Sequence, residues 1–302
     1  MTEWWLRNRQ RLLQLAGTLL AVVLLFFILK DEGWDEILAA MRTVSLADLL
    51  LVAAFFGVSR VAIVARWHVL LVSAGVKVRF RDTAALTFTG LFASNFLPTT
   101  IGGDVVRLAG AMQMGLDRAV CLASLAADRL IGMFGMSMAA PLGLAYSWST
   151  LFGSSSAAAI TLPAFLRRPL DFAKRTMGAF SIWLKKPVSL LLALAFTWVH
   201  MLCLFAGIYV FVRDLSAPVS FWMIAGLWSL TYFVTLIPIS INGYGVQELS
   251  FTFLMSNVAG LSAAASLTIA ILVRAYFLIF SLPGAALIPS TLAAMASQKP
   301  DP

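Results

Sequence analysis

The residues able to do chemistry in this chain fall into two similar constellations. Leu97-Pro98 is followed by Gly102-Gly103, Asp104 and Arg107, and then by Asp128-Arg129; Ile237-Pro238 is followed by Gly243, Gly245 and Glu248, and then by Arg274. Each reads as an apolar half-helix, a Pro/Gly break, an acidic residue opening a second half-helix, and a later helix with a buried arginine. A helix interrupted at membrane depth leaves N–H and C=O groups that lipid tails cannot satisfy, so the break must line a polar cavity or the protein interior. The new helix N-termini, near Gly103 and Val246, offer N–H donors and partial positive charge suited to a phosphate or carboxylate. Arginine adds a planar fork that grips phosphate bidentately and stays charged. The candidate substrate-binding residues are Arg60, Asn95, Asp104, Arg107, Asp128, Arg129, Asn242, Glu248 and Arg274. A plainer use exists for several. Asp104 and Arg107, spaced i,i+3, can pair with each other; Asp104 and Glu248 can satisfy helix-start N–H groups; Arg60 can snorkel toward the inner surface beside Arg66.

The elements that must position these residues follow from hydropathy. Of 302 residues, 61% are hydrophobic and 12% charged, against roughly 45–50% apolar and about 25% charged in soluble domains. Apolar runs of about 20 residues recur, which predicts an all-α, polytopic membrane bundle and excludes a barrel of short alternating strands. Residues 12–29, preceded by Arg7, Arg9 and Arg11, are too long for a signal peptide and read as a retained first span with a cytoplasmic N-terminus. An acidic external loop at 30–36 precedes a second span at 46–65, which returns to Arg66, Lys77, Arg79 and Arg81, a cytoplasmic signature. Residues 84–117 hold two short helices around a break and read as a re-entrant hairpin. Residues 121–166 are expected to hold two spans, parted between 141 and 156, and 167–187 a basic segment on the cytoplasmic surface. A clear span at 188–212, a second re-entrant hairpin at 221–259 and a last span at 262–288 complete one transmembrane domain, 1–302. Its halves, 1–166 and 188–302, carry six full spans and two hairpins in an inverted repeat with both termini cytoplasmic, and in transporters such paired broken segments mark a substrate site near the midplane.

Other chemistries find little support. The net charge of +8 sits mostly between apolar segments, where it sets topology and meets anionic lipid, so no nucleic-acid partner is expected. Cys121 and Cys203 lie in apolar stretches without metal-ligand spacing, and no metal or cofactor is expected. Gly102-Gly103 lacks the Gly-Lys-Ser/Thr of a nucleotide cradle. His200, alone in an apolar span, reads as a helix–helix hydrogen-bonding group, and His68, just after a span, as interfacial. Ser154-Ser155-Ser156 has no evident base, and no catalytic residue is assigned.

At these residues the chain resembles the transmembrane region of lysylphosphatidylglycerol synthase, also described as a flippase-like domain. The likeness rests on Asn95-Phe96-Leu97-Pro98 with Gly102-Gly103-Asp104-Val105-Val106-Arg107, on Asp128-Arg129-Leu130-Ile131-Gly132, on Pro238 with Asn242-Gly243-Tyr244-Gly245-Val246-Gln247-Glu248, and on Arg274. Around the second break, Ser-Ile-Asn-Gly-Tyr-Gly stands where a shorter Gly-Gly-Leu-Gly-like form is common. The resemblance implies movement of lipid between leaflets. The implied substrates are phospholipids, aminoacylated lipids, polyprenyl-phosphate sugars or hopanoid-related lipids. The aminoacyl-transfer domain of the synthases is expected to be absent, since few residues follow the last span.

The resulting expectation is a lipid translocase of the bacterial inner membrane, not an enzyme, for an anionic or zwitterionic phosphate-containing lipid. Arg107, Arg129 and Arg274 would hold the phosphate; Asp104, Asp128 and Glu248 would balance them or meet a cationic headgroup. The alternative is an integral-membrane enzyme or accessory subunit in glycolipid or lipid synthesis. A lipid-synthesis enzyme and a second copy of the chain are the candidate protein partners.

Overall fold

The computed structural model describes residues 41–97, 102–152, 185–215, 218–237 and 239–287, together with Leu19, Val23, Ala39 and Trp183. In chain order the helices are α1 (Leu46–Ser73), α2 (Phe80–Ser94), α3 (Gly102–Gln113), α4 (Arg118–Phe152), α5 (Pro187–Asp214), α6 (Phe221–Thr235), α7 (Val246–Asn257) and α8 (Ala263–Ile279). Short 3-10 turns lie at Ile241–Gly243 and Leu282–Leu287, and no strand occurs among the described residues. The expected first span at 12–29 (Leu19 and Val23 apart), the acidic loop at 30–36, any second crossing before 166, nearly all of the basic 167–187 segment, and both break prolines lie outside the described residues.

Local chemistry sets the helix starts. Ser45, Ser220 and Ser262 each accept the backbone N–H three residues on, at 3.0, 3.2 and 3.1 Å, satisfying a donor that a helix start leaves free. Asp117 does the same for Val120 N at 2.8 Å, and Pro187 opens α5, where a missing N–H costs nothing. Four segments among the described residues are long and apolar enough to cross a membrane: Leu46–Ser73, Arg118–Trp148, Pro187–Asp214 and Ala263–Ala286. By contrast α2 and α6, of 15 residues, reach only about 22 Å, and α3 and α7, of 12, about 18 Å, short of a hydrocarbon core of about 30 Å.

Two hydropathy-based bounds shift. The second span continues past Ala65 to Ser73, so Arg66 and His68 are helical, not in a loop; buried partners on other helices hold that last stretch. The last span ends as α-helix at Ile279 and finishes in the 3-10 turn, not as one helix to 288.

The short helices pair. Gly90 and Ser94 of α2 meet Arg107 and Gly103 of α3, which makes α2 and α3 antiparallel neighbours. Likewise Thr235 lies against Gly243, and Trp228 packs its ring on Phe251 with centroids 5.5 Å apart, so α6 and α7 are antiparallel too. The pair α1 and α5, both 28 residues long, is antiparallel along its length: Asp48 meets Arg213 (2.7 Å), Ser59 meets His200 (2.6 Å), and Lys186 Nζ donates to Ser73 O. Successive lengths in the two sets thus match: 28, 15 and 12 residues in α1–α3 and again in α5–α7. Packing is reciprocal as well: α4 lies on α6, while the 3-10 turn after α8 lies on α2.

Lipid tails are as apolar as leucine, so close packing has to hold such helices together. Gly143 and Gly226 bring α4 and α6 into backbone contact; a Cβ on Gly143 would fall 2.3 Å from Gly226 O. The largest apolar core gathers Phe56 of α1, Phe205, Ile208 and Phe211 of α5, Trp228 of α6, Phe251 of α7 and Val273 of α8. A smaller one, with Trp67, Leu71, Leu86, Ala111, Cys121 and Leu125, seats the first set.

Candidate functional site

A cavity of about 250 Å³ lies among α1 to α6. Its charged wall comes from three helices: Arg66 of α1, Asp104 and Arg107 of α3, and Asp128 and Arg129 of α4. Thr87, Gly90 and Ser94 of α2, Thr197 and His200 of α5, and Tyr232 of α6 complete its polar side.

The five charges form an alternating chain. Arg66 Nε donates to Asp128 Oδ1 at 2.6 Å and Arg66 Nη1 to Thr197 Oγ1 at 3.3 Å. Arg107 Nη1 donates to Asp128 Oδ2 at 3.2 Å and to Asp104 Oδ1 at 3.1 Å, and Arg129 Nε donates to Asp104 Oδ2. Every carboxylate oxygen of Asp104 and Asp128 therefore accepts from a guanidinium. The i,i+3 pairing of Asp104 with Arg107 is present, but it is one link of a longer network.

The fold around the break makes this assembly feasible. Gly103 lets α3 start against α2: a Cβ there would lie 2.0 Å from Ser94 Oγ and 2.4 Å from Gly90 O. Gly90 in turn leaves room for the Arg107 side chain, whose Cγ would meet an added Cβ at 2.6 Å. The Arg107 guanidinium lies over the Trp67 ring, 4.0 Å from its centroid, and Trp67 Nε1 donates to Ser124 Oγ at 3.0 Å, which fixes the indole. A cation–π contact of this kind, away from water, is worth up to about 2 kcal/mol. Arg107 is 7% exposed, and its Nε and Nη2 are buried without a hydrogen-bond partner.

The second break is built differently. Asn242, Gly243 and Gly245 have φ of 48°, 73° and 76°, a left-handed turn that only Asn and Gly adopt readily. Glu248 Oε2 accepts from Gly245 N at 2.7 Å, and Glu248 Oε1 accepts from Arg274 Nε at 2.5 Å. Arg274 also lies over the Tyr244 ring, 4.7 Å from its centroid, and reaches Gly243 O at 3.4 Å. This pair stitches α8 to the start of α7 and takes no part in the cavity wall.

The candidate residues thus separate into groups. Asp104, Arg107, Asp128 and Arg129 come together in the cavity; Glu248 and Arg274 form a second, closed pair. Asn95 and Asn242 join the two breaks: Asn242 Nδ2 donates to Asn95 Oδ1 at 3.4 Å, and Asn95 Nδ2 to Ser281 Oγ at 2.9 Å. Arg60 is buried, stands 5.0 Å from the Phe277 ring centroid with Nε unpartnered, and lies outside the cavity wall. Arg66 is the cavity residue that hydropathy misplaces: at the end of an apolar run it reads as a loop charge, and only its pairing with Asp128, far along the chain, shows otherwise. His200, read as a helix–helix group, does bond Ser59 across α1 and α5, and it also lines the cavity. His68 bonds Thr83 Oγ1 at 3.0 Å from within α1.

No curated protein matches the chain in a similarity comparison. Among protein families, residues 14–284 match the one described as Lysylphosphatidylglycerol synthase TM region. That match spans both broken pairs and every long apolar helix described above, and on it the chain belongs to this lipid-related family of multi-pass membrane proteins.

Proposed function

We propose that the protein is a lipid translocase of the bacterial inner membrane that carries a phosphate-bearing anionic or zwitterionic headgroup through the α1–α6 cavity while the acyl chains stay in lipid. One observation carries this reading: five charged side chains, in three ion-paired arginines and two aspartates, line a cavity whose wall includes His200, midway along the 28-residue α5, and Arg66, Arg107 and Asp128 among them are buried. Ionisable groups are expensive inside a membrane and mark substrate paths. A volume of about 250 Å³, on the order of eight water molecules at about 30 Å³ each, suits a headgroup and not its tails.

In this mechanism the headgroup phosphate takes the place of water beside Arg107 and Arg129, and Asp104 and Asp128 serve as counter-ions. The antiparallel α1–α5 pair and the reciprocal packing of the two helix sets support an inverted repeat, since a two-fold axis relating antiparallel helices must lie across them. The short pairs α2–α3 and α6–α7 are then re-entrant hairpins, hinged where Asn95 and Asn242 meet, and their alternation opens the site to each leaflet. The basic ends of α1 and α5, near Lys77, Arg79, Lys185 and Lys186, face the cytoplasm in this reading, as do both termini.

The test is reconstitution of the full chain in proteoliposomes with fluorescent phospholipid, polyprenyl-phosphate sugar and aminoacyl-lipid probes. Wild type should accelerate loss of probe from one leaflet, recovered lipid should have unchanged mass, and Arg107→Gln should abolish the acceleration in folded protein. A covalently altered lipid made by wild type and lost in Asp128→Asn would replace the translocase with the lipid-synthesis enzyme.

A further inference from the structure

We infer that the second half of the chain holds a closed counterpart of the cavity, and that Arg60 and Gln247 bind the headgroup phosphate there when this location opens to the other leaflet. The inference rests on the translocase reading and adds a second station to its route.

The α1–α5 pair fixes the relation between the halves. Both helices have 28 residues, and Ser59 and His200, which bond each other at 2.6 Å, are each the fourteenth. A position that meets its own counterpart lies on a two-fold axis. Contacts on either side of that point repeat: Arg66, twenty-first of α1, meets Thr197, eleventh of α5, and Gly207, twenty-first of α5, faces Phe56, eleventh of α1. Counted from their helix starts, Asp104 matches Glu248, Asp128 matches Val273 and Arg129 matches Arg274.

Under this correspondence four positions of the cavity wall become aromatic. Thr87, Arg107, Gly132 and Thr197 line the cavity, and the same positions of α6, α7, α8 and α1 hold Trp228, Phe251, Phe277 and Phe56. These rings touch one another: Trp228 lies 5.5 Å from Phe251 and 6.2 Å from Phe277, and Phe277 lies 5.5 Å from Phe56, between centroids. Where the first half is hollow, the second is plugged. A carrier built from inverted repeats that opens to one leaflet at a time has this asymmetry in each of its end states.

Two further wall positions carry the donors. Met201 and Gly103 line the cavity, and their counterparts are Arg60 and Gln247, both buried. Arg60 Nε and Gln247 Nε2 have no hydrogen-bond partner among the described residues. The Arg60 guanidinium lies instead against Phe277, 5.0 Å from the ring centroid, so a ring of the plug holds the charge that an anion would otherwise hold. A cation and an amide donor buried in a membrane protein without an acceptor are costly, and oxygen lone pairs would satisfy both. A phosphate brings them. Glu248 and Arg274 already satisfy each other nearby in the chain, which leaves Arg60 and Gln247 for the ligand. Trp228 and Phe251 belong to the short pair α6–α7, so a swing of that pair removes half of the plug, while Arg60 stays at mid-length of the long α1.

The experiment compares binding with transport in the full chain, with short-chain phosphatidylglycerol as the probe. Tryptophan fluorescence in phosphatidylcholine nanodiscs reads binding, and loss of the fluorescent lipid from one leaflet of proteoliposomes reads transport. Arg60→Met and Gln247→Leu should leave binding within about twofold of wild type, because the plugged location takes no part in it, yet slow transport about tenfold or more, with melting temperatures no lower than wild type. Arg60→Lys should recover part of the rate through its charge, which a packing role would not give. Gln247→Cys, in a background without Cys121 and Cys203, should react with a small aqueous thiol reagent only when the probe lipid is present. Wild-type transport rates in both Arg60→Met and Gln247→Leu, or a cysteine at 247 that stays inert with the probe present, overturn the inference and leave the translocase standing on Arg107 and Arg129. A loss of binding in Arg60→Met as large as in Arg107→Gln overturns it too, because Arg60 would then belong to the first cavity. Wild type that moves no lipid removes the translocase and the second station together. The cysteine readout leaves Arg60 in place, so it decides the matter even if an Arg60 variant does not fold.

Discussion

Replacing Asp128 by valine separates what the buried charges do for the fold from what they do for the ligand. Asp128 is 3% exposed and accepts from Arg66 at 2.6 Å and Arg107 at 3.2 Å. Asp128→Val removes two charge-assisted hydrogen bonds, each worth about 1.5–3 kcal/mol, and leaves Arg66 without a carboxylate, on Thr197 alone, and Arg107 on Asp104 alone. Breaking a buried network from one side costs about 3–5 kcal/mol, and that is the expected loss in unfolding free energy. The second helix set shows how the same positions look without charge: Gly207, Phe251 and Val273. Gly207 there makes room for the Phe56 ring, 3.4 Å from an added Cβ, whereas Arg66 faces the smaller Thr197, so methionine is the better filler in the first set. The triple variant Arg66→Met, Arg107→Phe, Asp128→Val should therefore regain all of the loss, and wholesale replacement of buried ion networks by apolar groups is often neutral or stabilising by about 1–4 kcal/mol. Its transport and phosphatidylglycerol binding should be nil. The measurement is unfolding in mixed micelles with increasing dodecyl sulfate, followed by helical circular dichroism. A triple variant less stable than Asp128→Val alone would refute the reasoning, because the charges would then be holding the helices together.

Gly103→Ala should cost at least about 3 kcal/mol through overpacking of α3 against α2, since its Cβ lands 2.0 Å from Ser94 Oγ; Gly57→Ala, with its nearest neighbour at 3.6 Å, should leave the melting temperature unchanged, and equal melts for both would contradict the close approach. Arg60→Met should leave stability unchanged or raise it by about 1 kcal/mol, because the Arg60 Nε has no partner to lose; a loss above that range shows that the charge is anchored. Single cysteines at Lys186 and Arg213, in a background without Cys121 and Cys203, bracket the 28-residue α5 and should react with an impermeant maleimide from opposite sides of the membrane, Arg213 from outside; labelling from one side removes the crossing.

Much of this architecture was legible in the linear sequence because its causes are local. A run of apolar residues is a helix in lipid whatever surrounds it, so α5 was expected at 188–212 and occurs at Pro187–Asp214. The breaks announce themselves through Pro and Gly, and the helix starts near Gly103 and Val246 follow from them; α3 and α7 begin at Gly102 and Val246. Local spacing also exposes the Asp104–Arg107 pair. What a charge means near the end of an apolar run is another matter. Arg66 has the same sequence surroundings as a topology-setting loop arginine, and its place in the site is decided by Asp128 on another helix. The same holds for the division of the acidic and basic residues into an open cluster and a closed pair: Arg107 and Arg274 both follow a break, yet one keeps two donors unpartnered while the other is spent on Glu248, Gly243 and Tyr244. A charged side chain inside a membrane is stable only with a partner, and partners are chosen by which helices the tertiary fold lays side by side.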